Sequence, residues 1–326
     1  MKKYLNLLNI SFCAVLLLST HKLRADDDPN VEKKKAYSKS YSISLDDKIS
    51  INNQFGEVTI HAWDKNEVKV EVTIIAKSAT DDRAQEILDR ISIEDSKNSN
   101  GVSFKTNMKN DHISWDKKKT FKDDKMEINY QVYMPASNAL VLSNQFGTTI
   151  VPDMKGMVDI SSKFGSLTTG KLSNVKNINV EFGTASIESI SSGSLVVKFS
   201  RAIINKLDGS VDAVFEHSSG IKLGIENSTK ELRVTSAFST LYVDINKNLG
   251  ATFDISTSFG ELSNKSVFDI KEEAKSESKK PNFNHSYSGK TGNGSTAMKI
   301  SCSFSQITLG HDLNMELKEA KKHTVI

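Results

Sequence analysis

The stretch LVLSNQFGTTIV at residues 140–151 decides the fold, because ISINNQFGEVTI at residues 49–60 repeats its pattern and looser copies follow along the chain. In each copy an aliphatic residue, a shorter residue and a phenylalanine stand two positions apart, the period of a strand with one buried face. We therefore predict a repeat protein whose structural core contains nine aligned phenylalanines: Phe55, Phe146, Phe164, Phe182, Phe199, Phe215, Phe238, Phe259 and Phe304.

A residue that favours a bend follows most of these phenylalanines, glycine at 56, 147, 165, 183 and 260 and serine at 200, 239 and 305. A second short strand then begins with its inward positions shifted by one, as a bulge or corner would cause. From Phe146 to Phe259 the copies recur every roughly 16–23 residues, about one turn of a small β-solenoid. The predicted fold class is therefore all-β, a β-solenoid in which each coil covers its neighbour.

Residues 1–25 have the features of a secretory signal peptide, with Lys2 and Lys3 before an apolar stretch and Ala25 as the last residue before the cut. The apolar stretch is too short to cross a bilayer, so we predict no transmembrane span after cleavage. An uncleaved anchor is the alternative. Residues 26–39 are rich in charge and are predicted to be a flexible linker.

The balance of charge argues against a nucleic-acid partner. The chain has 43 basic and 40 acidic residues, and loss of the signal would remove four basic residues and no acidic one. The mature chain would then be nearly neutral, without the basic excess of a nucleic-acid-binding protein. Cys302 would be its single cysteine, which excludes an intramolecular disulfide and favours a buried structural thiol.

Two segments interrupt the repeats. Residues 40–140 are predicted to form an N-terminal coil, amphipathic strands and a short helix starting at Thr80, which together cap the open end of the repeats. Residues 141–310 are predicted to be the solenoid, interrupted by a disordered loop at 271–296 that is poor in apolar residues. The last coil, around Phe304, would then be separated from its neighbour, the coil of Phe259, in sequence only, and residues 311–326 would form a C-terminal tail.

The order of these patterns resembles a known family. FGEVTIHAWDKNEVKVEVTIIAKS at 55–78, VYMPASNALVLSNQFGTTIV at 132–151 and the following repeats are similar to the bacterial putative-adhesin β-strand-repeat family, a group of unknown function common in Bacteroidota envelope proteins. The resemblance covers roughly residues 41–309. It implies a right-handed parallel β-solenoid exported beyond the inner membrane, and it implies no binding residues. This chain differs in the number of Phe-Gly pairs and in its long 271–296 segment.

The sequence predicts no catalytic, cofactor-binding or metal-binding residues. The seven histidines lack the short spacings of metal ligands on one helix or hairpin, and no phosphate-binding loop or nucleophile elbow is present. Arg201 and His217, on neighbouring coils, are the single suggestive pair, and we interpret them as polar decoration of a solvated face. A ladder of Ser and Thr side chains on one face has the same simple interpretation.

The predicted function is that of an exported, non-enzymatic interaction module of the cell envelope or surface, with an unknown glycan, protein or envelope partner. Its location would be the periplasm or the cell surface. Two alternatives stay open at this point. One is a periplasmic accessory or sensor protein in an envelope-stress circuit, and the other is a polysaccharide-active β-helix enzyme, which would need carboxylates aligned over successive coils.

Overall fold

The computed structural model describes residues 31–109, 124–273 and 283–316, which are all-β apart from one short helix. The N-terminal elements are β1 (Val31–Ser42), β2 (Ile49–Gln54), β3 (Val58–Ala62), β4 (Glu67–Ser78), α1 (Asp81–Asp89), β5 (Ile91–Asn98), β6 (Gly101–Met108) and β7 (Lys125–Met134). The repeats contain β8 (Leu140–Gln145), β9 (Thr148–Val151), β10 (Met154–Lys163), β11 (Ser166–Glu181), β12 (Thr184–Lys198), β13 (Arg201–Glu216), β14 (Gly220–Ala237) and β15 (Thr240–Ile245). The C-terminal elements are β16 (Ala251–Ser258), β17 (Glu261–Asn264), β18 (Ile270–Glu272), β19 (Asn284–Lys290), β20 (Thr296–Ser303) and β21 (Gln306–Gly310).

Successive repeats pair in parallel, each against the same part of the next. Leu142 of β8 lies between Ile51 of β2 and Ile160 of β10, and Ile160 in turn lies opposite Ile178 of β11. All four side chains are buried. The strand before each bend thus builds one column and the strand after it builds a second, as the period-two pattern predicts, and the core is the continuous apolar layer between successive coils.

The sheet is mixed, not purely parallel as predicted. Antiparallel pairs occur towards both ends of the stack, where β4 pairs with β1 and β7, β5 with β6, and β19 with β16 and β18. Hairpin-like antiparallel pairs close a sheet locally and need no crossover, so they suit the ends of a stack of parallel coils.

The linker predicted for residues 26–39 is wrong over its described part, because β1 begins at Val31 and pairs along its whole length with β4. Val31, Tyr37 and Tyr41 pack against the core, and on the same face Lys33 donates to Gln85 of α1 and Lys35 to the carbonyl of Ile91. A charged edge strand of this kind looks like a linker in composition, yet lysine on an edge protects against unwanted pairing.

The disordered loop predicted for 271–296 is also wrong over its described part. β19 pairs antiparallel with both β16 and β18, and Tyr287 packs against the core. The low apolar content of the segment concealed a strand with half-buried positions alternating along it. Residues 274–282 lie outside the described part of the chain, as do the predicted signal peptide and residues 317–326 of the predicted tail.

The coils of Phe259 and Phe304 are neighbours in space although a long segment separates them in sequence, as predicted. β20 pairs in parallel with β14 on one side and with β16 on the other, and β21 lies in the same way between β15 and β17. The C-terminal coil is therefore inserted between two earlier coils. Nothing in the repeat pattern predicts this insertion.

The short helix predicted at Thr80 is confirmed. Thr80 caps α1, and its Oγ1 accepts a hydrogen bond of 3.3 Å from the backbone N–H of Arg83. Ala84 and Leu88 point into the core. No helix in the described ranges has the length and apolar character needed to cross a membrane.

Candidate functional site

A ladder of stacked aromatic rings runs along the corner between the two strand columns. Neighbouring rings lie 4.7–5.0 Å apart between centroids, with their planes within 16° of parallel. We call this feature the aromatic ladder. Its members, in spatial order, are Phe55, Phe146, Phe164, Phe182, Phe199, His217, Phe238, Phe304, Phe259 and Phe283.

The corner has a left-handed backbone. The ladder residues from Phe55 to Phe259 have φ between 50° and 63°, which directs the chain round the bend. One hydrogen bond per coil holds each corner in place, from the backbone N–H of the ladder residue to a carbonyl of the next coil in space at 2.9–3.1 Å. The spacing of coils in the sheet therefore sets the spacing of the rings.

The sequence placed all nine phenylalanines on the inward face, and this is wrong for eight of them. Six of the rings are 46–53% exposed, because the left-handed backbone turns the side chain outward. They are those of Phe164, Phe182, Phe199, Phe238, Phe259 and Phe304. Phe215 alone is fully buried; it lies opposite Val197 and Ser236 at the inward position of its coil. His217, two residues later, holds the ladder position there.

The residue after each ladder position forms a second column of close backbone contacts. A Cβ added to Gly147, Gly165 or Gly183 would lie 1.9–2.0 Å from the carbonyl oxygen of the preceding coil's glycine. Further along the stack the column is Ser200, Ser218, Ser239 and Ser305. Their hydroxyls donate to a carbonyl two residues earlier at 2.7–3.0 Å and accept from a neighbouring coil's N–H at 3.0–3.5 Å.

A groove of about 1080 Å³ follows the first part of the aromatic ladder. We call it the ladder groove. Its floor contains the glycines at 56, 147, 165 and 183, and one wall is the row of rings from Phe55 to Phe199. Thr148, Ser166 and Thr184 line the other wall. Five steps of 4.8–5.0 Å from Phe55 to His217 give the groove a length of roughly 24 Å.

The two ends of the groove differ in charge. At the N-terminal end, where β7 pairs with β3, the groove is lined by Glu57, Lys125, Met126 and Glu127. Arg201, His217 and Ser219 line the other end. Arg201 and His217, the pair singled out in the sequence, thus lie at the same end of the groove. His217 belongs to the aromatic ladder, and Arg201 belongs to the outward column beside it.

Arg201 is the most unusual polar group of the groove. Its Nε is buried and has no hydrogen-bond partner, and its Nη2 donates a long bond of 3.4 Å to the backbone carbonyl of Glu316. Among the described residues, the three other arginines, Arg83, Arg90 and Arg233, each form an ion pair with a carboxylate. Arg201 forms no ion pair within that part of the chain.

Paired charges flank the ladder on the side away from the groove. Lys163 and Glu181 lie 3.1 Å apart, and Lys198 and Glu216 lie 2.9 Å apart. A hydrogen bond from Asn179 lowers the pKa of Glu181, and the Lys163 ammonium lowers it further. These neighbours neutralise one another and leave the Arg201 charge unmatched.

The Ser and Thr ladder of the sequence is not continuous. Thr168 pairs with Ser186, but Ile150 stands between Thr59 and Thr168, and Ile203 follows Ser186. The hydroxyl-bearing side chains are therefore brought together only in pairs at this position. Thr148, Ser166 and Thr184, which the repeat register places at outward positions two residues after the phenylalanines, do line the groove.

Cys302 is buried, as predicted. Burial raises the pKa of its thiol to about 12, which keeps it protonated and unreactive at neutral pH. No group of three or more His, Cys, Asp or Glu residues in the described ranges is arranged to hold a metal ion.

No family model and no curated protein matches the sequence. Solved structures do resemble the fold. A "putative adhesin" from Bacteroides fragilis is 11% identical, with 84% of this chain and 97% of that chain covered and a TM-score of 0.42. A "putative adhesin" from Parabacteroides merdae is 7% identical over 84% and 96%, with a TM-score of 0.36.

A third solved structure, a "putative lipid binding protein" from Parabacteroides distasonis, is 11% identical over 84% of this chain and 96% of that chain, with a TM-score of 0.32. The names of the first two agree with the family that the sequence resembles. None of the three likenesses identifies a ligand or a binding residue in this chain.

Proposed function

We propose that this protein is an exported, non-enzymatic interaction module of the cell envelope or surface, built as a right-handed β-solenoid, and that it binds its partner in the ladder groove. The observation that carries the proposal is the groove itself, a long channel with exposed rings on one wall and hydroxyls on the other. Large apolar side chains exposed in a continuous row are a feature of binding surfaces more than of inert ones.

The construction of the groove supports this role. Each ring from Phe146 to Phe199 is held between two neighbours, and each of these corners is held by a backbone hydrogen bond to the next coil. A preorganised surface loses little conformational entropy when a partner binds, so more of the contact energy is available for affinity. The same rigid corners repeat at one spacing, which suits an elongated partner.

A photo-crosslinking experiment in native cells tests the proposal. A benzophenone side chain is introduced at Thr184, on the wall of the groove, and in a matched control at Lys206, which is exposed outside it. We expect adducts with an envelope component from position 184 only. Equal adducts from both positions, or none from either, would contradict binding through the groove.

Protease treatment separates the two locations. Loss of the protein from intact cells supports the cell surface, whereas protection until the outer barrier is opened supports the periplasm. A protein found in the cytoplasm would overturn the export that the proposal requires.

A further inference from the structure

We propose that the ladder groove binds a single-chain anionic amphiphile, with its acidic head group at Arg201 and its hydrocarbon chain along the rings from Phe199 towards Phe55. The inference rests on the proposed function, because it assigns a ligand class to the same groove. Three independent features of the structure support it: an unmatched cation at one end, ring edges along the wall, and a suitable length.

The unmatched cation is Arg201. Its Nε is buried without a hydrogen-bond partner, and its side chain lines the groove. A guanidinium that is partly removed from water and has no carboxylate beside it favours an anionic ligand, since a carboxylate or phosphate can accept two parallel charge-assisted hydrogen bonds from it. The hydroxyls of Thr184 and Ser219 line the same end and can donate to the remaining oxygens of the head group.

The rings favour a hydrocarbon chain over a sugar. Each ring between Phe146 and Phe199 has a neighbour stacked on both faces at 4.8–5.0 Å. Sugar recognition by aromatic residues uses an open ring face, and these rings have none to offer. Their exposed edges consist of C–H groups, which pack well against methylene groups.

The length of the apolar wall fits an acyl chain. Four ring-to-ring steps of 4.8–5.0 Å separate Phe199 from Phe55, roughly 20 Å. One leaflet of a bilayer holds its acyl chains within about 15 Å, half of the hydrocarbon core. The glycine floor keeps the channel free of side chains along this distance, and Met126 adds apolar surface at its end.

The charges at the two ends define one orientation. Glu57 and Glu127 stand at the N-terminal end beside Lys125, so an acidic head group there would meet carboxylates. At the other end Arg201 forms no ion pair with a described residue, and its contact with Glu316 is to the backbone carbonyl. The head group is therefore expected at Arg201, with the end of the chain towards Met126.

Calorimetric titration of the purified full-length protein with hexadecanoate, below its micelle concentration, tests the inference. We expect binding at one site, with affinity that rises about two- to fourfold for each added methylene from dodecanoate to hexadecanoate. Hexadecanol, which lacks the charge, should bind at least about tenfold more weakly. No heat of binding, or equal binding of hexadecanol and hexadecanoate, would overturn the inference.

Variants locate the site. Arg201→Gln should weaken hexadecanoate binding about tenfold or more, and Arg201→Lys should recover part of it. Phe164→Asn opens the apolar wall while keeping a residue that tolerates the left-handed backbone, and should weaken binding about three- to tenfold. Phe304→Asn removes a ring of the same ladder outside the groove and should leave the Kd unchanged, with circular dichroism showing that all four variants fold.

A parallel titration with monohexadecyl phosphate distinguishes the two acidic head groups that Arg201 could accept. Tighter binding of the phosphate identifies a phospholipid-like source, and tighter binding of hexadecanoate identifies a fatty acid. If neither binds while the benzophenone at position 184 still captures an envelope component, the ligand assignment fails and the proposed function stands. Binding of hexadecanoate without any adduct in cells supports the ligand assignment and contradicts the wider function.

Discussion

Each ladder phenylalanine holds a backbone conformation that L-residues avoid. The left-handed region costs roughly 1–2 kcal/mol for a residue with a side chain, and eight phenylalanines adopt it here. Stacked aromatic pairs contribute about 0.5–1.5 kcal/mol each beyond their burial, and an inner ring has two such neighbours. The stack thus offsets the backbone cost, so that a ring is favoured at a corner where glycine alone would be least strained.

The two effects can be separated at Phe182. Both Phe182→Ala and Phe182→Gly lose the ring, but only the glycine relieves the left-handed strain. We expect the glycine variant to have a free energy of unfolding about 1 kcal/mol higher than the alanine variant, measured by urea denaturation. The same pair at Val197, an inward strand position, should give the opposite order. An alanine variant at 182 as stable as the glycine variant would show that the corner is not strained.

The serine column beside the ladder predicts a sharp contrast between neighbours. Ser218 is fully buried, and its hydroxyl donates to the carbonyls of Val197 and Glu216 and accepts from Ser200. Ser218→Ala removes these contacts and takes the hydroxyl acceptor away from the backbone N–H of Ser200, and it should lower the free energy of unfolding by about 1–2 kcal/mol. Ser219, the next residue, is exposed, so Ser219→Ala should change it by less than about 0.5 kcal/mol. Similar losses for both variants would contradict the assigned hydrogen bonds.

Among the elements, β1 is fixed to the molecule by a pair of tyrosines as well as by its pairing with β4. The hydroxyls of Tyr37 and Tyr41 both donate to the carboxylate of Asp95 in β5, that of Tyr37 at 2.6 Å. These two hydrogen bonds, with Tyr37 the stronger influence, lower the pKa of Asp95 below its ordinary 3.8. The contact should therefore stabilise the fold at neutral pH and weaken in acid.

Proton linkage gives the direction in which the Asp95 contribution to stability changes with pH. Because the folded-state pKa of Asp95 is lowered, its contribution is complete above the ordinary pKa and is lost as the pH falls through the folded value. We expect Asp95→Asn to lower the free energy of unfolding at pH 7 by the order of 1 kcal/mol, and the gap to the unsubstituted protein to close below pH 4. The double variant Tyr37→Phe, Tyr41→Phe should also have a lower free energy of unfolding than the unsubstituted protein at pH 7, and this difference should likewise close below pH 4. A gap that is constant from pH 7 to pH 3 would rule out this linkage.

Period-two alternation predicts most of the strands, because side chains that alternate between the core and the solvent give alternating apolar and polar residues in the sequence. It cannot predict which way a corner residue points, since Phe182 and Val180 have the same parity and only the left-handed backbone separates them. His217 was missed for a related reason: Phe215, two residues earlier, has the same parity and the expected side chain. The groove was missed altogether, because it exists only once the outward positions of several coils are stacked.

The molecule as a whole is a stack without a single centre. Each coil packs mainly on its two spatial neighbours, so stability is close to a sum of coil and interface terms. The insertion of β20 between β14 and β16 means that neighbours in space are here not neighbours in sequence. The coil of Phe238 packs directly on that of His217, whereas the coil of Phe259 joins the rest of the stack only through the C-terminal strands.

This arrangement predicts how a defect spreads. Ile300 of β20 and Ile51 of β2 are both buried at inward positions, and Ile300→Ala and Ile51→Ala should each lower the free energy of unfolding by about 3 kcal/mol. In hydrogen exchange, Ile300→Ala should reduce protection in both β14 and β16, because β20 pairs with each of them. Ile51→Ala, as the matched control, should act on β6 and β8 and leave β16 unchanged. Loss of protection in β16 without β14 would mean that the coils follow one another in sequence order and that the inserted strand is absent in solution.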